Sequence, residues 1–153
     1  PPLTIRKLAP GVRPEGPRVL TEETSQQMLR IMRANVIPGE GGSGGKADVP
    51  GLSVGGKTGT AEKAGAGGYR RKALLSSFVA AFPINDPRYV VFVALDEPQG
   101  TERTFNFASA GWTAAPTTSR VVSRIAPLLG VAPTTTKPGP SADSLPVSVR
   151  KGQ

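Results

Sequence analysis

Residues 55–61 read Gly-Gly-Lys-Thr-Gly-Thr-Ala, and this stretch decides how the chain folds. It brings together the ammonium of Lys57, the hydroxyls of Thr58 and Thr60, and the bare backbone of Gly59. Two kinds of site fit these residues. One is a phosphate-binding loop that opens a helix, and the other is an extended strand whose lysine and hydroxyls line a cleft. The flanking sequence decides between them.

The phosphate loop is the better match by letters alone. Residues 51–58, GLSVGGKT, satisfy GxxxxGK[ST] from Gly51 to Thr58, and a later apolar run ends in Asp96-Glu97, which resembles a magnesium-binding pair. Such a loop, however, follows a buried strand and precedes a helix. Residues 39–50 are instead rich in glycine, and four glycines among residues 59–68 would each cost a helix about 1 kcal/mol. We therefore favour the strand, and a P-loop NTPase is the alternative.

Composition narrows the chemistry further. The chain has 153 residues, a net charge of +8, no cysteine and no histidine. A Ser-His-Asp triad and zinc sites built from histidine or cysteine are therefore excluded within this chain, and we predict no cofactor and no metal. The basic residues are scattered and aromatic residues make up only 5%, so we expect no nucleic-acid partner. No apolar run approaches the ~20 residues that a membrane span needs.

Hydrophobic patterning predicts an α+β domain with an antiparallel meander. We expect three strands joined by short links, at residues 52–64, 75–82 and 88–95, with a flexible connection over 65–72. The last of these strands is the most apolar and should be central in the sheet. Acidic residues after Thr21 predict a helix from Glu22 to about Asn35.

Two apolar stripes indicate how the helices pack. In the first helix the stripe predicts that its methionines belong to the core, and its members are Met28, Leu29, Met32 and Val36. A second helix follows residues 111–116, with Pro116 in its first turn and Gly130 just past its end. Its stripe comprises Val121, Val122, Ile125, Leu128 and Leu129. The Pro- and Thr-rich residues 132–153 should form a disordered tail.

The ordered series of motifs resembles the C-terminal part of class B penicillin-binding proteins. The closest type is the division-specific peptidoglycan transpeptidase (FtsI type) of Gram-negative bacteria. The resemblance spans roughly residues 2–131, and it rests on GSGGKA at 42–47, GKTGTAEK at 56–63, SFVAAFP at 77–83, LDEP at 95–98 and GWTAAP at 111–116.

The resemblance implies an antiparallel sheet flanked by helices, as part of the penicillin-binding transpeptidase and serine β-lactamase-like fold. It implies that residues 1–131 are the C-terminal portion of a transpeptidase domain, which cross-links stem peptides through a serine acyl-enzyme. By resemblance, Lys57 and Thr60 are catalytic, and Lys57, Thr58, Gly59 and Thr60 bind the D-Ala-D-Ala carboxylate or a β-lactam. The implied partners are peptidoglycan stem peptides, β-lactams, the preceding part of the same protein and division proteins, at the periplasmic face of the inner membrane.

One departure from the family pattern limits these expectations. Ser43 and Lys46 have SxxK spacing, but four surrounding glycines argue against the helical turn that would bring lysine to serine. Ser141-Ala142-Asp143 is equally poor as the family's Ser-x-Asn element, because it lies in the Pro-rich tail. We infer that the nucleophile lies outside this chain, which alone should be inactive. A third hypothesis is a non-catalytic sheet module, such as a partner-binding domain, which retains the motif residues but catalyses no reaction.

Overall fold

The structure is a computed structural model that describes residues 18–65 and 68–133. Helix α1 (Glu22–Ala34) is followed by strands β1 (Gly55–Gly65), β2 (Gly68–Phe82) and β3 (Tyr89–Asp96), and then by helix α2 (Ala114–Leu128). The strands form one antiparallel sheet in the order β1-β2-β3. The predicted α+β class and the meander are therefore confirmed. Residues 1–17 and most of the predicted tail, including Ser141-Ala142-Asp143, lie outside the described residues.

The strand boundaries differ from the prediction at the hairpin between β1 and β2. β1 begins at Gly55, not at residue 52, and β2 begins at Gly68, although residues 65–72 were expected to be a flexible connection. Gly65 pairs with Gly68 and Ala64 with Tyr69, across a register shift after Glu62. Backbone pairing continues here without an apolar side-chain pattern, which is why sequence patterning missed it.

The most apolar strand is not central among the described strands, contrary to the prediction. β2 is central, and β3 pairs only with β2 on the described part of the sheet. Exposure alternates along β3: Val91, Val93 and Leu95 pack against the core, whereas Val90 and Phe92 are 70% and 66% exposed. The apolar composition of β3 led to the prediction of a central strand, but only one of its faces is covered in the described structure.

Helix α2 covers that face and ends as predicted. Gly130 has φ +69°, and the N–H groups of Gly130 and Val131 donate to the carbonyls of Pro127 and Ala126, which is a Schellman motif. The predicted stripe was partly wrong, since Leu128 is 85% exposed. The buried positions are smaller and let the helix approach Phe78 and Phe82 of β2; they are Ala114, Ala115, Thr118, Val122 and Ala126.

Helix α1 has the predicted bounds but not the predicted packing. The Thr21 hydroxyl accepts a hydrogen bond from the N–H of Thr24, which caps the helix as expected. No residue of α1 is buried, Met28 is 48% exposed, and only Val36 beyond its end reaches the core. Met28 and Met32 are therefore not core residues of the described structure, because α1 meets the sheet only near its C-terminal end.

Candidate active site

The residues of the lysine motif lie on an edge strand. Lys57, Thr58, Gly59 and Thr60 pair in order with Val79, Phe78, Ser77 and Ser76 of β2. No described strand pairs with the other edge of β1. Backbone groups along that edge can therefore hydrogen-bond an extended peptide, as in recognition by strand addition.

Two glycines hold β1 close to β2. A Cβ on Gly56 would lie 2.3 Å from the carbonyl oxygen of Val79 and 2.5 Å from the ring of Phe78. A Cβ on Gly59 would lie 2.7 Å from Oγ of Ser77, whose hydroxyl donates to the Gly59 carbonyl at 3.3 Å. Gly56 needs to be glycine, because its neighbours are a backbone carbonyl and a buried ring, whereas at Gly59 the Ser77 hydroxyl would have to turn away from a Cβ.

Lys57 is exposed, and its ammonium folds back on its own strand. Nζ donates to the carbonyl oxygen of Thr58 at 2.6 Å and lies 3.3 Å from Thr58 Oγ1. Both acceptors are uncharged, so the lysine charge is not neutralised by these contacts. The ammonium can therefore exchange one of these hydrogen bonds for a carboxylate ligand.

Thr60 contacts the turn that precedes α2. Its Oγ1 accepts a hydrogen bond from the N–H of Ala110 at 3.0 Å, and Ala110 is fully buried. Because Oγ1 is the acceptor in that bond, the Thr60 proton stays available as a donor to a ligand. Thr60 therefore joins the motif strand to the start of α2.

Replacing Thr60 with valine should cost stability, because the shape is kept while the acceptor for a buried N–H is lost. We expect Thr60→Val to reduce the free energy of unfolding by about 1–3 kcal/mol, seen as a lower midpoint of thermal unfolding. Thr58→Val is the matched control, since within the described part of the chain Thr58 Oγ1 bonds only to the exposed Lys57 and Ser43 side chains. Equal losses in both variants would contradict the assignment.

A cavity of about 610 Å³ lies beside the threonine face of β1. Lys46 reaches over the ring of Trp112, with Nζ 4.2 Å from the ring centroid, and Phe105 and Phe107 pack against the same indole. Polar groups from three segments line the cavity, and they include Ser43, Lys46, Thr58, Thr60 and Ser109. The cavity can therefore hold a ligand with an anionic or polar group against an aromatic wall.

Residues 43–46 do not form the α-helical turn that an SxxK nucleophile requires. Gly45–Ala47 is a short 3₁₀ turn. The Ser43 hydroxyl lies 2.7 Å from Thr58 Oγ1, while the Lys46 ammonium lies over Trp112. This geometry agrees with the rejection of Ser43 as the nucleophile, but sequence reasoning missed its contact with Thr58.

The acidic pair at the end of β3 binds a lysine of β1. Lys63 Nζ lies 2.7 Å from Asp96 Oδ1 and 3.1 Å from Glu97 Oε1, across the full width of the sheet. Hydrogen bonds to Asp96 and then to Glu97 raise the pKa of Lys63 above its ordinary value of 10.5. Within residues 18–65 and 68–133, no group of three or more acidic, histidine or cysteine side chains could hold a metal.

This ion pair predicts a stability change at alkaline pH. Because the pKa of Lys63 is higher in the folded state than in the unfolded state, its interaction with Asp96 and Glu97 contributes fully to stability below about pH 10.5. That contribution is lost as the pH rises through the folded-state pKa of Lys63. The difference in unfolding midpoint between the parent protein and Lys63→Gln should therefore be constant up to about pH 10 and shrink above it. Midpoints measured across this range that stay parallel would contradict the ion pair.

The described structure places Lys-Thr-Gly-Thr on an open-edged strand beside a polar cavity, and a Lys-Thr-Gly element is typical of penicillin-binding proteins. Residues 9–119 match the family described as the penicillin binding protein transpeptidase domain, and the chain belongs to this family. The P-loop alternative has no support, because Lys57 and Thr58 lie within a strand and open no helix.

Matches to known proteins cover most of the chain. It is 62% identical over 136 residues to the probable peptidoglycan D,D-transpeptidase FtsI of Caulobacter vibrioides, a match that covers 85% of this chain and 23% of the relative. The apo transpeptidase domain of Burkholderia pseudomallei penicillin-binding protein 3 superposes with a TM-score of 0.70 at 35% identity, covering 85% of this chain and 37% of that one.

A second solved structure adds a ligand-bound neighbour. Penicillin-binding protein 3 of Mycobacterium tuberculosis, complexed with ampicillin, superposes with a TM-score of 0.66 at 30% identity, over 87% of this chain and 31% of that one. The chain therefore spans less than a quarter of the Caulobacter relative and about a third of the solved chains. None of the helices in the described part is long and apolar enough to cross a membrane.

Proposed function

We propose that this chain supplies the strand side of the active site of an FtsI-type peptidoglycan D,D-transpeptidase, and that the nucleophilic serine lies outside it. The observation that carries the proposal is the Lys-Thr-Gly-Thr sequence on the open edge of β1, beside a cavity lined by Thr58 and Thr60. In this proposal residues 1–131 are the C-terminal portion of the transpeptidase domain, and residues 132–153 are its tail.

Two uncovered apolar faces support completion by the rest of such a domain. Met28 and Ile31 of α1 are 48% and 54% exposed, and Val90 and Phe92 are exposed on the outer face of β3. Soluble domains rarely leave several large apolar side chains grouped in this way. The preceding part of the same protein is the partner that we assign to both faces.

The reaction proceeds through an acyl-enzyme. The serine oxygen attacks the carbonyl carbon of the penultimate D-Ala, the peptide bond to the terminal D-Ala breaks, and its amine leaves with the serine proton. An amine of a neighbouring stem peptide then attacks the ester and forms the cross-link, and its proton returns to the serine. A β-lactam acylates the same serine by opening its ring.

Each residue of the motif has a role in this scheme. Lys57 supplies positive charge for the substrate carboxylate and a proton path to the serine. The hydroxyls of Thr58 and Thr60 donate to the same carboxylate, and the Thr60 N–H is one oxyanion donor, a type of contact whose loss typically slows a reaction about 10²–10³-fold. Gly59 leaves the strand edge clear for the substrate backbone.

The proposed setting follows from the substrate. Stem peptides of nascent peptidoglycan are outside the cytoplasm, so the chain works at the periplasmic face of the inner membrane, with its anchor supplied elsewhere in the protein. Division proteins are the partners proposed for the complete enzyme. The ampicillin complex of the mycobacterial relative supports β-lactams as ligands.

A chimera tests the proposal. The chain replaces the segment that it matches in the Caulobacter relative, and the product is incubated with a fluorescent penicillin. We expect covalent labelling at a rate close to that of the unmodified relative, and no labelling of the isolated chain. A chimera that is folded by circular dichroism yet stays unlabelled would contradict the proposal. Titration with magnesium and ATP should show no binding. Saturable binding would instead support the P-loop NTPase as the function of the chain.

A further inference from the structure

We propose that Ser43 is a positioning residue that orients the Thr58 hydroxyl toward the substrate carboxylate, held in place by Asn35; this inference rests on the proposed function. The Ser43 and Thr58 hydroxyl oxygens are 2.7 Å apart. Asn35, at the C-terminal end of α1, bonds to both Ser43 and β1.

Asn35 has only one side-chain orientation that satisfies its neighbours. Its amide nitrogen donates to the carbonyl oxygen of Gly56 at 2.9 Å, and its Oδ1 accepts from the N–H of Ser43 at 3.1 Å. Rotating the amide by half a turn would place oxygen against oxygen and N–H against N–H. Asn35 therefore fixes Ser43 relative to the residue that precedes Lys57.

The glycines on either side of Ser43 allow this contact. A Cβ on Gly42 would lie 2.2 Å from the carbonyl oxygen of Asn35, and one on Gly44 would lie 2.8 Å from its side-chain nitrogen. Gly111 also approaches Ser43 closely, since a Cβ on Gly111 would lie 2.7 Å from the Ser43 carbonyl oxygen. The backbone at residues 42–44 therefore packs closely against Asn35, and the Ser43 hydroxyl contacts Thr58 on β1.

The direction of the hydroxyl protons gives Ser43 its role. Thr58 Oγ1 lies within reach of the Lys57 ammonium, which can only donate. If Ser43 also donates to Thr58 Oγ1, the Thr58 proton is left for a ligand in the cavity. If Ser43 donates instead to Asn35 Oδ1, at 3.4 Å, the Thr58 proton is directed to Ser43. A bound carboxylate needs a donor and selects the first arrangement, and linked hydrogen bonds strengthen one another.

The test uses the chimera and two penicillins, one with a free carboxylate and one with that carboxylate esterified. We expect Ser43→Ala to slow acylation by the free acid about tenfold and to leave acylation by the ester unchanged. Ser43→Thr keeps the hydroxyl and should restore the rate. Ser123→Ala is the control, because Ser123 is also exposed, but its hydroxyl donates to the carbonyl of Arg120 within α2 and not to β1.

A double-mutant cycle separates positioning from a general structural effect. In a Thr58→Val background, Ser43→Ala should have no further effect on the free acid, because the hydroxyl on which it acts is gone. Equal slowing of acid and ester, additive effects in the cycle, or an unchanged rate in Ser43→Ala would each overturn the inference while leaving the proposed function intact. A parent chimera without any labelling would instead refute both.

Discussion

Lys57→Ala is expected to slow acylation of the chimera by a fluorescent penicillin about 10²–10³-fold. The exposed ammonium lies on the open edge of β1, and its only hydrogen-bond partners among the described residues are the carbonyl and hydroxyl of Thr58. Its charge is therefore available to the ligand carboxylate and to the proton of the attacking serine. Removing the Lys57 ammonium should lower both the maximal rate of acylation and the affinity for penicillin. Rapid-quench labelling at several penicillin concentrations measures the two effects separately.

Lys63→Ala is the matched control for this prediction. It removes a lysine from the same strand, but one that is paired with Asp96 and Glu97 at the far end of the sheet. Acylation should stay near the parent rate in Lys63→Ala. Normal labelling of Lys57→Ala would favour the non-catalytic sheet module, and equal slowing in both variants would point to a general effect of charge.

Gly56→Ala is expected to destabilise the fold by about 2–3 kcal/mol, the cost of overpacking a closed site. The added methyl would meet the Val79 carbonyl at 2.3 Å and the fully buried ring of Phe78 at 2.5 Å. Neither can move without disturbing the pairing of β1 with β2. The midpoint of thermal unfolding of the chimera should fall by several degrees.

Gly45→Ala provides the comparison for stability. Its Cβ would have only Pro38 Cα near it, at 3.9 Å, which is ordinary contact. The unfolding midpoint of Gly45→Ala should match that of the parent or exceed it. If Gly56→Ala were equally stable, the close approach of β1 to β2 at the motif would be wrong.

Much of this fold could be predicted from the sequence because its signals are local. Thr21 and Gly130 mark a helix start and a helix end through their own backbone chemistry, and both predictions are confirmed. The choice between strand and phosphate loop also depended on neighbouring glycines, which disfavour a helix after Lys57. Short links between apolar runs were sufficient to predict an antiparallel meander.

The errors arose where packing depends on distant residues. Met28 and Phe92 belong to apolar patterns, and whether such side chains are covered depends on elements that the pattern does not contain. Leu128 follows the helical period, but smaller residues such as Ala126 occupy the helix face that meets the sheet. The start of β2, from Gly68, was missed because its sequence has no apolar alternation, although its backbone pairs with β1.

The sequence predicted the motif residues of the site but not the residues that contact them, Asn35 and Ser43. Lys57, Thr58, Gly59 and Thr60 lie together on β1, and the roles assigned to them remain predictions. No spacing rule links Asn35 and Ser43 to the motif strand, because the contacts between them join residues 8 to 21 positions apart. The only sequence signal was the presence of glycines on both sides of Ser43. That signal indicates a close approach without naming the partner.

A crystal structure of the penicillin-acylated chimera tests the central claim most directly. We predict that the ligand runs along the open edge of β1, with its carboxylate within hydrogen-bonding distance of the Thr58 and Thr60 hydroxyls and with the acylated serine near Lys57. A ligand bound to the serine with its carboxylate directed away from β1, and with no backbone contact to that strand, would contradict the account.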